Sequence, residues 1–440
     1  MVEAYFRPGD ARDLGVGWER IVFDWAQFQP DGPDDFRTDV IPESWLLDAR
    51  DNGREVVGLL KSTPFWASNS PKIGAPPNGL DLPIDDPHNY WAAFVARTVQ
   101  YYGETWGVNH WIILNEPDIR PGDMDWYEFD GEVEDYYQMV KVAYLAAKQV
   151  NPDAVIHLAG MAWWPDGAVG RQPYLARLLE VASNDPEAYA NGFFFDVVMA
   201  HVYFGTQNSL NMLTDIRSIL KWYGLHEKAI WIDEMNASPT LDPYTMSPGT
   251  MYPVTLREQA NYIVQASALS LASGVERLAI YRLYDNHFLR GVSESWGLVR
   301  ADGTRRPAFD AYRTVIEWLG DTTGTQRFYT DNSAIVLLAQ PDRTVYVMWA
   351  RRRIPVQFYL FASDPDQSAT RVLLDGTTQP VQAVQVAGVP NHWYAATGPG
   401  APGVVVDSAM VEGEPMILVV DGPPVRSLWV DVEGMQWQLY

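Results

Sequence analysis

Six short, continuously apolar runs recur between residues 56 and 285, each followed by a loop and, in most cases, by a stretch with helical periodicity. They are VVGLL (56–60), WIIL (111–114), VIHLAG (155–160), FDVVMA (195–200), AIWI (229–232) and LAIY (278–281). A run that is apolar throughout, not only at alternate positions, is what a parallel strand covered on both faces requires. Parallel neighbours need long crossovers, and helices supply them. Between the runs, NYWAAFVARTVQYYG places Trp91, Phe94, Val95, Thr98, Val99 and Tyr102 on one helical face. EVEDYYQMVKVAYLAAKQV does the same with Val133, Tyr136, Val140, Tyr144 and Ala147, and NPDA at 151–154 ends that helix.

WERIVFDW (18–25) and a short VEAYF (2–6) bring the strands to eight, and RRPAFDAYRTVIEWL (305–319) supplies the last helix. Eight such units over residues 1–321 predict a (β/α)8 TIM barrel, with a short first unit because residues 7–16 hold only one or two helical turns. A doubly wound sheet is disfavoured, since no GxGxxG or phosphate-loop motif follows any run. From about residue 322 the texture changes to β-like runs separated by Pro, Gly, Asp and Asn: SAIVLLAQ, TVYVMWA, VQFYLFAS, ATRVLLD, PVQAVQVAG and EPMILVVDG. Residues 322–440 are therefore expected to form a C-terminal antiparallel β-sandwich, with RSLWVDVEGMQWQLY returning as a final strand against this module or the barrel.

Composition narrows the chemistry. A net charge of −24 argues against nucleic acid and anionic membranes as partners. The absence of cysteine removes disulfides, thiolate metal sites and cysteine nucleophiles. No apolar run reaches the ~18 residues of a membrane span, and the start of the chain lacks the basic and apolar regions of a signal peptide, so a soluble protein is expected. The 7 histidines show no metal-ligand spacing, and neither a metal nor a cofactor is expected.

In a barrel of this kind chemistry sits at the C-terminal ends of the strands. The fourth run ends in Asn115–Glu116–Pro117, the sixth in His201 and Tyr203, the seventh in Asp233 and Glu234, and the eighth in Tyr281, Arg282 and Asp285. WERIVFDW adds Arg20. Two glutamates at the tips of the fourth and seventh strands converge across the mouth, as a glycosidase needs: one carboxyl to protonate the leaving oxygen, one carboxylate to attack the anomeric carbon. A spacing of about 5–5.5 Å would imply the retaining route. Glu234, ionised nearby, raises the proton affinity of Glu116, while Arg20 and Tyr203 are placed to orient Glu234. By strand alternation Asp233 points away from Glu234 and reads as structural; Asp118 reads as a loop-capping residue.

The NEP tip, the WIDEMN strand and the HVY tip resemble the retaining (β/α)8 glycosidases of glycoside hydrolase clan A over residues 1–320. WERIVFDWAQFQP, LLKSTPFWAS and SWGLVRADGTRRPAFDAY are similar to that clan's early arginine strand, third strand and the stretch after its eighth. With the C-terminal sandwich, the layout most resembles family 39, the β-xylosidase-type enzymes, ahead of family 5. The resemblance implies Glu116 as acid/base, Glu234 as nucleophile and Asn115 as the contact to the sugar 2-hydroxyl. It also implies Tyr203 as the nucleophile's partner, with His201 and Arg20 in supporting places. One departure stands out: where the clan usually carries a strand-eight tryptophan, this chain has Arg282, flanked by Tyr281 and Tyr284. Either a tyrosine or Trp296 then forms the floor under the sugar, or Arg282 reads a polar or anionic substituent.

Loops after the strands are rich in aromatics, including Phe65, Trp66, Trp126, Tyr127, Trp163, Trp164, Tyr244 and Tyr252. Trp163 and Trp164 are the first candidates for sugar stacking. The sequence thus predicts a polysaccharide-degrading glycosidase acting on β-linked oligosaccharides, exo-acting in the manner of a β-xylosidase or β-glucosidase. The alternatives are an endo-glycanase and a catalytically silent carbohydrate-binding protein.

Overall fold

A computed structural model describes residues 1–72, 74–124, 126–244, 252–285, 295–352, 354–386, 389–397 and 411–440. Seven parallel strands follow one another in chain order around a curled sheet. They are β1 (Trp18–Asp24), β2 (Glu55–Lys61), β3 (His110–Ile113), β4 (Val155–Leu158), β5 (Val197–Tyr203), β6 (Ala229–Asn236) and β7 (Arg277–Leu278). Helices such as Tyr90–Trp106, Val133–Val150, Thr206–Trp222 and Leu256–Ala272 connect them on the outside. Why the strands are apolar throughout is visible in the packing. Val57, Leu59, Ile112, Val197, Met199 and Ala279 fill the barrel interior with Trp18 and Trp231. The alternate residues, such as Leu60, Ile113, Ile156 and Ile230, are buried against the helices.

The eighth stave is far shorter than the expected strand over 2–6. Val2 alone bridges to Arg20 in parallel, donates its N–H to the Ile280 carbonyl (3.2 Å) and accepts from the Leu283 N–H (3.2 Å). Glu3 then turns into the left-handed region (φ 59°), and Ala4–Phe6 form a 3-10 turn. The Tyr5 ring stacks on Trp45 at 4.0 Å, drawing the segment off the ladder. Two residues are enough to close the barrel because β1 and the chain after β7 each present a free edge to them.

The C-terminal part forms two antiparallel sheets. One contains β8 (Gly324–Tyr329), β9 (Ser333–Ala339), β10 (Arg343–Ala350), β12 (Ala369–Val372), β13 (Thr378–Pro380) and β16 (Met416–Asp421). The other contains β11 (Val356–Phe361), β14 (Val384–Val386), β15 (Val389–Thr397), β17 (Ser427–Val432) and β18 (Met435–Gln438). The final segment is a hairpin, β17–β18, added beside β11 in the sandwich. Residues 387–388 of the PVQAVQVAG run lie outside the described residues. Strand alternation divides the first sheet between two cores. Val336, Leu338, Val345, Val347 and Trp349 belong to the barrel's apolar cluster, whereas Ile335, Leu337, Tyr346 and Met348 pack with Phe358, Leu360 and Trp393 of the second sheet. No helix among the described residues is long and apolar enough to cross a membrane.

Gly58 marks a point where the barrel leaves no space. A Cβ there would stand 2.5 Å from Cζ3 and 2.6 Å from Cε3 of Trp111, and 3.2 Å from the Phe23 ring. Gly58→Ala is expected to destabilise the fold by about 1–3 kcal/mol through overpacking. The readout is a lower urea midpoint, with Gly17→Ala, which meets nothing within 4 Å, staying close to wild type.

Candidate active site

The tip of β3 is bent by its own backbone. Leu114 (φ 64°) and Glu116 (φ 42°) both adopt left-handed conformations, which cost a non-glycine residue on the order of 1–2 kcal/mol each. The turn is held from both sides. Leu114 donates its N–H to the Leu60 carbonyl (2.9 Å), and Glu116 donates to the Gly160 carbonyl (3.0 Å). Pro117 has no N–H to continue the ladder. Asp118, fully buried, accepts from the backbone N–H groups of Ala162 (3.1 Å) and Trp163 (2.7 Å), tying this tip to the loop after β4. Burial pushes the Asp118 carboxyl up to about 6, against those two hydrogen bonds.

The β5–β6 pair carries a bulge: Ala200 pairs with Ile232, but His201 pairs with Glu234. The extra residue, Asp233, breaks the alternation on which its expected outward direction rested. Asp233 and Glu234 consequently face the same partner. Arg20 donates from Nη1 to Asp233 Oδ2 (2.7 Å) and from Nη2 to Glu234 Oε1 (2.5 Å). The Tyr203 hydroxyl donates to the other Glu234 oxygen, Oε2. His201 stands among the carboxylates, with Nδ1 2.7 Å from Glu116 Oε1 and 3.5 Å from Glu234 Oε2, and Nε2 3.4 Å from Asp233 Oδ1. An oxygen of Glu116 and one of Glu234 lie within 4.8 Å of each other.

The two glutamates sit in different fields. Burial pushes Glu116 up to about 7; His201 opposes this, while the negative charges of Glu234 and Asp118 add to it. Burial pushes His201 down, but Glu234, Asp233 and Glu116 outweigh it and hold the imidazole well above its usual range. For Asp233 burial works upward, and His201 and Arg20 overcome it, bringing the carboxyl to about 2. Glu116, His201 and Glu234 are close enough together to hold a metal ion. Both Glu234 oxygens, however, already accept hydrogen bonds from Arg20 and Tyr203, and the buried Arg20 guanidinium beside them repels a further cation. The donor set fits an ion-pair array, not a metal cage.

One wall of the site is aromatic. Ring centroids of Tyr203 lie 5.1 Å from Trp296 and 6.2 Å from Tyr281, and Phe204 and Tyr252 continue the wall. Asn236 fixes it from behind, donating to the carbonyls of Tyr281 (2.6 Å) and Trp296 (2.7 Å). The side chains of Arg20, Glu116, His201, Tyr203 and Glu234 therefore form one connected cluster, with Tyr281 and Trp296 beside it. Asn115 precedes Glu116, and its Oδ1 is buried with no hydrogen-bond partner among the described residues. Arg282 is fully buried and donates to Glu3 (3.2 Å), so Tyr281 and not Arg282 stands against Tyr203. Trp163 and Trp164 lie on the loop after β4; Trp163 is held by Asp118, and Trp164 is 41% exposed. Sequence reasoning gave no site role to Asp233, Asn236 or Gly160. The AIWI run ends in polar residues at 233, 234 and 236, so their positions at the strand tip were visible; the inward direction of Asp233 was not, because a bulge leaves no mark in residue type.

Glu116 holds its proton to about pH 7 in the folded chain, against an ordinary value of 4.5. The stability of the neutral form is therefore fully present below about 4.5 and is lost as pH rises through about 7. Glu116→Gln, neutral throughout, is expected to exceed wild type in stability at pH 8 by on the order of 2–3 kcal/mol. Urea unfolding would show the gap closing toward pH 4; an unchanged or less stable variant at pH 8 would mean that Glu116 is not held neutral.

No protein-family model matches the sequence, and no curated protein matches it. Solved structures of similar fold include a family 39 glycoside hydrolase from Bacteroides cellulosilyticus, 16% identical with a TM-score of 0.65, over 95% of this chain and 78% of that one. A glucosidase from Croceicoccus marinus is 13% identical with a TM-score of 0.59, over 94% and 91%. A family 30 endoxylanase from Clostridium papyrosolvens is 13% identical with a TM-score of 0.58, over 96% and 94%. What this chain shares with these glycoside hydrolases is a fold, the TIM barrel with a C-terminal β-sandwich.

Proposed function

We propose that the chain is a retaining β-glycosidase that hydrolyses β-linked oligosaccharides by double displacement, without metal or cofactor. The observation that carries this is the pair Glu116 and Glu234, with oxygens within 4.8 Å across the mouth and set in opposite electrostatic surroundings. The spacing supports the retaining route, in which the carboxyls stand too close to hold a water beside the intact substrate and one of them attacks the sugar instead. In the first step an oxygen of Glu234 attacks the anomeric carbon. The bond from that carbon to the leaving oxygen breaks, and the Glu116 proton passes to the departing oxygen. In the second step Glu116, now a carboxylate, takes a proton from water as the water oxygen attacks the same carbon. Glu234 leaves as the carboxylate it was at the start.

The surroundings suit these roles. Arg20 and Tyr203 each donate to one oxygen of Glu234 and direct it, as a nucleophile requires. The buried, unpartnered Oδ1 of Asn115 suits a sugar hydroxyl, which would remove a cost of about 1–3 kcal/mol for leaving it unmet. Tyr281 and Trp296 supply the apolar wall that a sugar ring stacks against, leaving Arg282 to its pair with Glu3. Glu116 and Glu234 are only 7% and 6% exposed, and exo action on a chain end is part of this reading. The fold shared with a glucosidase and an endoxylanase supports a glycoside as substrate. In this reading residues 1–321 are the catalytic barrel, and 322–440 brace it through the shared apolar core.

Aryl β-glycosides test the reading directly: xyloside, glucoside, galactoside, mannoside, fucoside, arabinoside and glucuronide, each with wild type and Glu234→Gln. Turnover of one neutral sugar is expected, falling by a factor on the order of 10⁴ or more in the variant. Activity on oligosaccharides but on none of the aryl glycosides would point to an endo-enzyme. Binding without hydrolysis of either would leave a carbohydrate-binding protein.

A further inference from the structure

Asp233 has no part in bond making or breaking in the double-displacement cycle, yet the β5–β6 bulge delivers it, fully buried, into the centre of the site. Its two oxygens are divided. Oδ2 takes the Nη1 hydrogen of Arg20 at 2.7 Å. Oδ1 faces His201 Nε2 at 3.4 Å as an ion-pair contact, and neither of these two buried atoms makes a hydrogen bond, to the other or elsewhere among the described residues. The space between them is reserved by Gly160. A Cβ at that position would stand 2.0 Å from His201 Nε2 and 2.7 Å from Asp233 Oδ1. Gly160 is required there for room, not for a left-handed backbone, because its φ lies outside that range.

The charges around Glu116 come from every neighbouring element. Asp118 follows it and is spent on two backbone N–H groups. His201 and Tyr203 come from β5, Asp233 and Glu234 from β6, Arg20 from β1, and Tyr281 follows β7. Among the groups that touch one another, the cations Arg20 and His201 balance the anions Asp233 and Glu234, so the cluster is neutral when Glu116 carries its proton. During catalysis Glu234 becomes an ester and its charge disappears. Arg20 and His201 would then lose an anionic partner together, and Asp233 is the carboxylate that still touches both.

We propose that Asp233 is a positioning residue: the constant counter-charge that keeps His201 cationic and Arg20 in place while Glu234 alternates between carboxylate and ester. With the other charges of the cluster held constant, the proton on Glu116 answers to the change at Glu234. With Glu234 ionised the neutral cluster retains that proton, and with Glu234 esterified the cluster becomes positive and releases it for the base step.

This inference rests on the glycosidase reading, and Asp233→Asn tests it. The variant keeps the shape but removes the counter-charge, so the His201 imidazolium is disfavoured. Nitrogen-15 histidine NMR of the variant is expected to show His201 losing its proton at a lower pH than in the wild-type protein, beyond any fall in kcat. A structural role alone would lower activity and leave the His201 titration where it is in the wild type, and that outcome overturns the proposal. Should the variant not fold, nitrogen-15 histidine NMR of the wild-type protein decides. His201, identified by the signal missing from His201→Gln, is expected to remain an imidazolium at pH values where a free histidine is neutral. A His201 that is neutral at pH 7 would overturn the proposal even in an enzyme proven to be a glycosidase. Conversely, a persistent imidazolium in a protein that cleaves no glycoside would locate the failure in the functional reading instead.

Discussion

Arg20 is where closure of the barrel and construction of the site meet. Its backbone sits beside Val2 in the short stave that joins β1 to the chain after β7, and its N–H donates to the Met1 carbonyl (3.1 Å). Its side chain, almost fully buried, divides one guanidinium between two consecutive carboxylates. Two anions at adjacent positions of a buried strand would repel and stay dehydrated without it; breaking such a buried pair costs on the order of 3–5 kcal/mol. The planar fork of arginine matters here, because lysine would present a single point charge to oxygens of two different residues. The bulge in β6 is the complementary half of the arrangement, since only it turns Asp233 and Glu234 toward the same guanidinium.

A second physical theme is the use of strained backbone at the strand tips. Ser62, Leu114, Glu116, Trp163 and Phe204 all have positive φ and lie at or just beyond the ends of β2, β3, β4 and β5. Each turns the chain sharply where a regular strand would carry it past the mouth. The cost is met by rigid neighbours: Gly160 and Leu60 hold the β3 tip by hydrogen bonds, and Asp118 holds the backbone that follows Met161. The carboxyl of Glu116 is thus fixed in a dehydrated place by elements that cannot relax around it, which is what keeps its proton.

Much of the fold was legible because burial on both faces writes itself into residue type. The runs at 56–60, 111–114 and 229–232 are apolar at every position for the reason that the interior cluster and the outer core each take alternate residues. The first strand was legible only in part. VEAYF has strand composition, but Glu3 adopts a left-handed conformation and Tyr5 finds Trp45, both of which depend on tertiary contacts. At the strand tips Glu116 and Glu234 could be read as polar residues ending apolar runs. Asp233 could not be read correctly, since alternation is a property of regular strands and β6 is irregular at that point. Nor could sequence separate Tyr281 from Arg282: one faces Tyr203 and the other pairs with Glu3, a long-range contact that residue type does not announce.

In the proposed reaction Glu234 forms a covalent bond to the sugar while Glu116 manages the proton. Incubating the protein with 2-deoxy-2-fluoro-β-glycosides bearing a good leaving group, then digesting it and sequencing the labelled peptide by mass spectrometry, tests this. One sugar per chain is expected, attached to Glu234 in the peptide containing AIWIDEMN. Label on Asp233 or on Glu116, or hydrolysis that inverts the anomeric centre with no label at all, would contradict it.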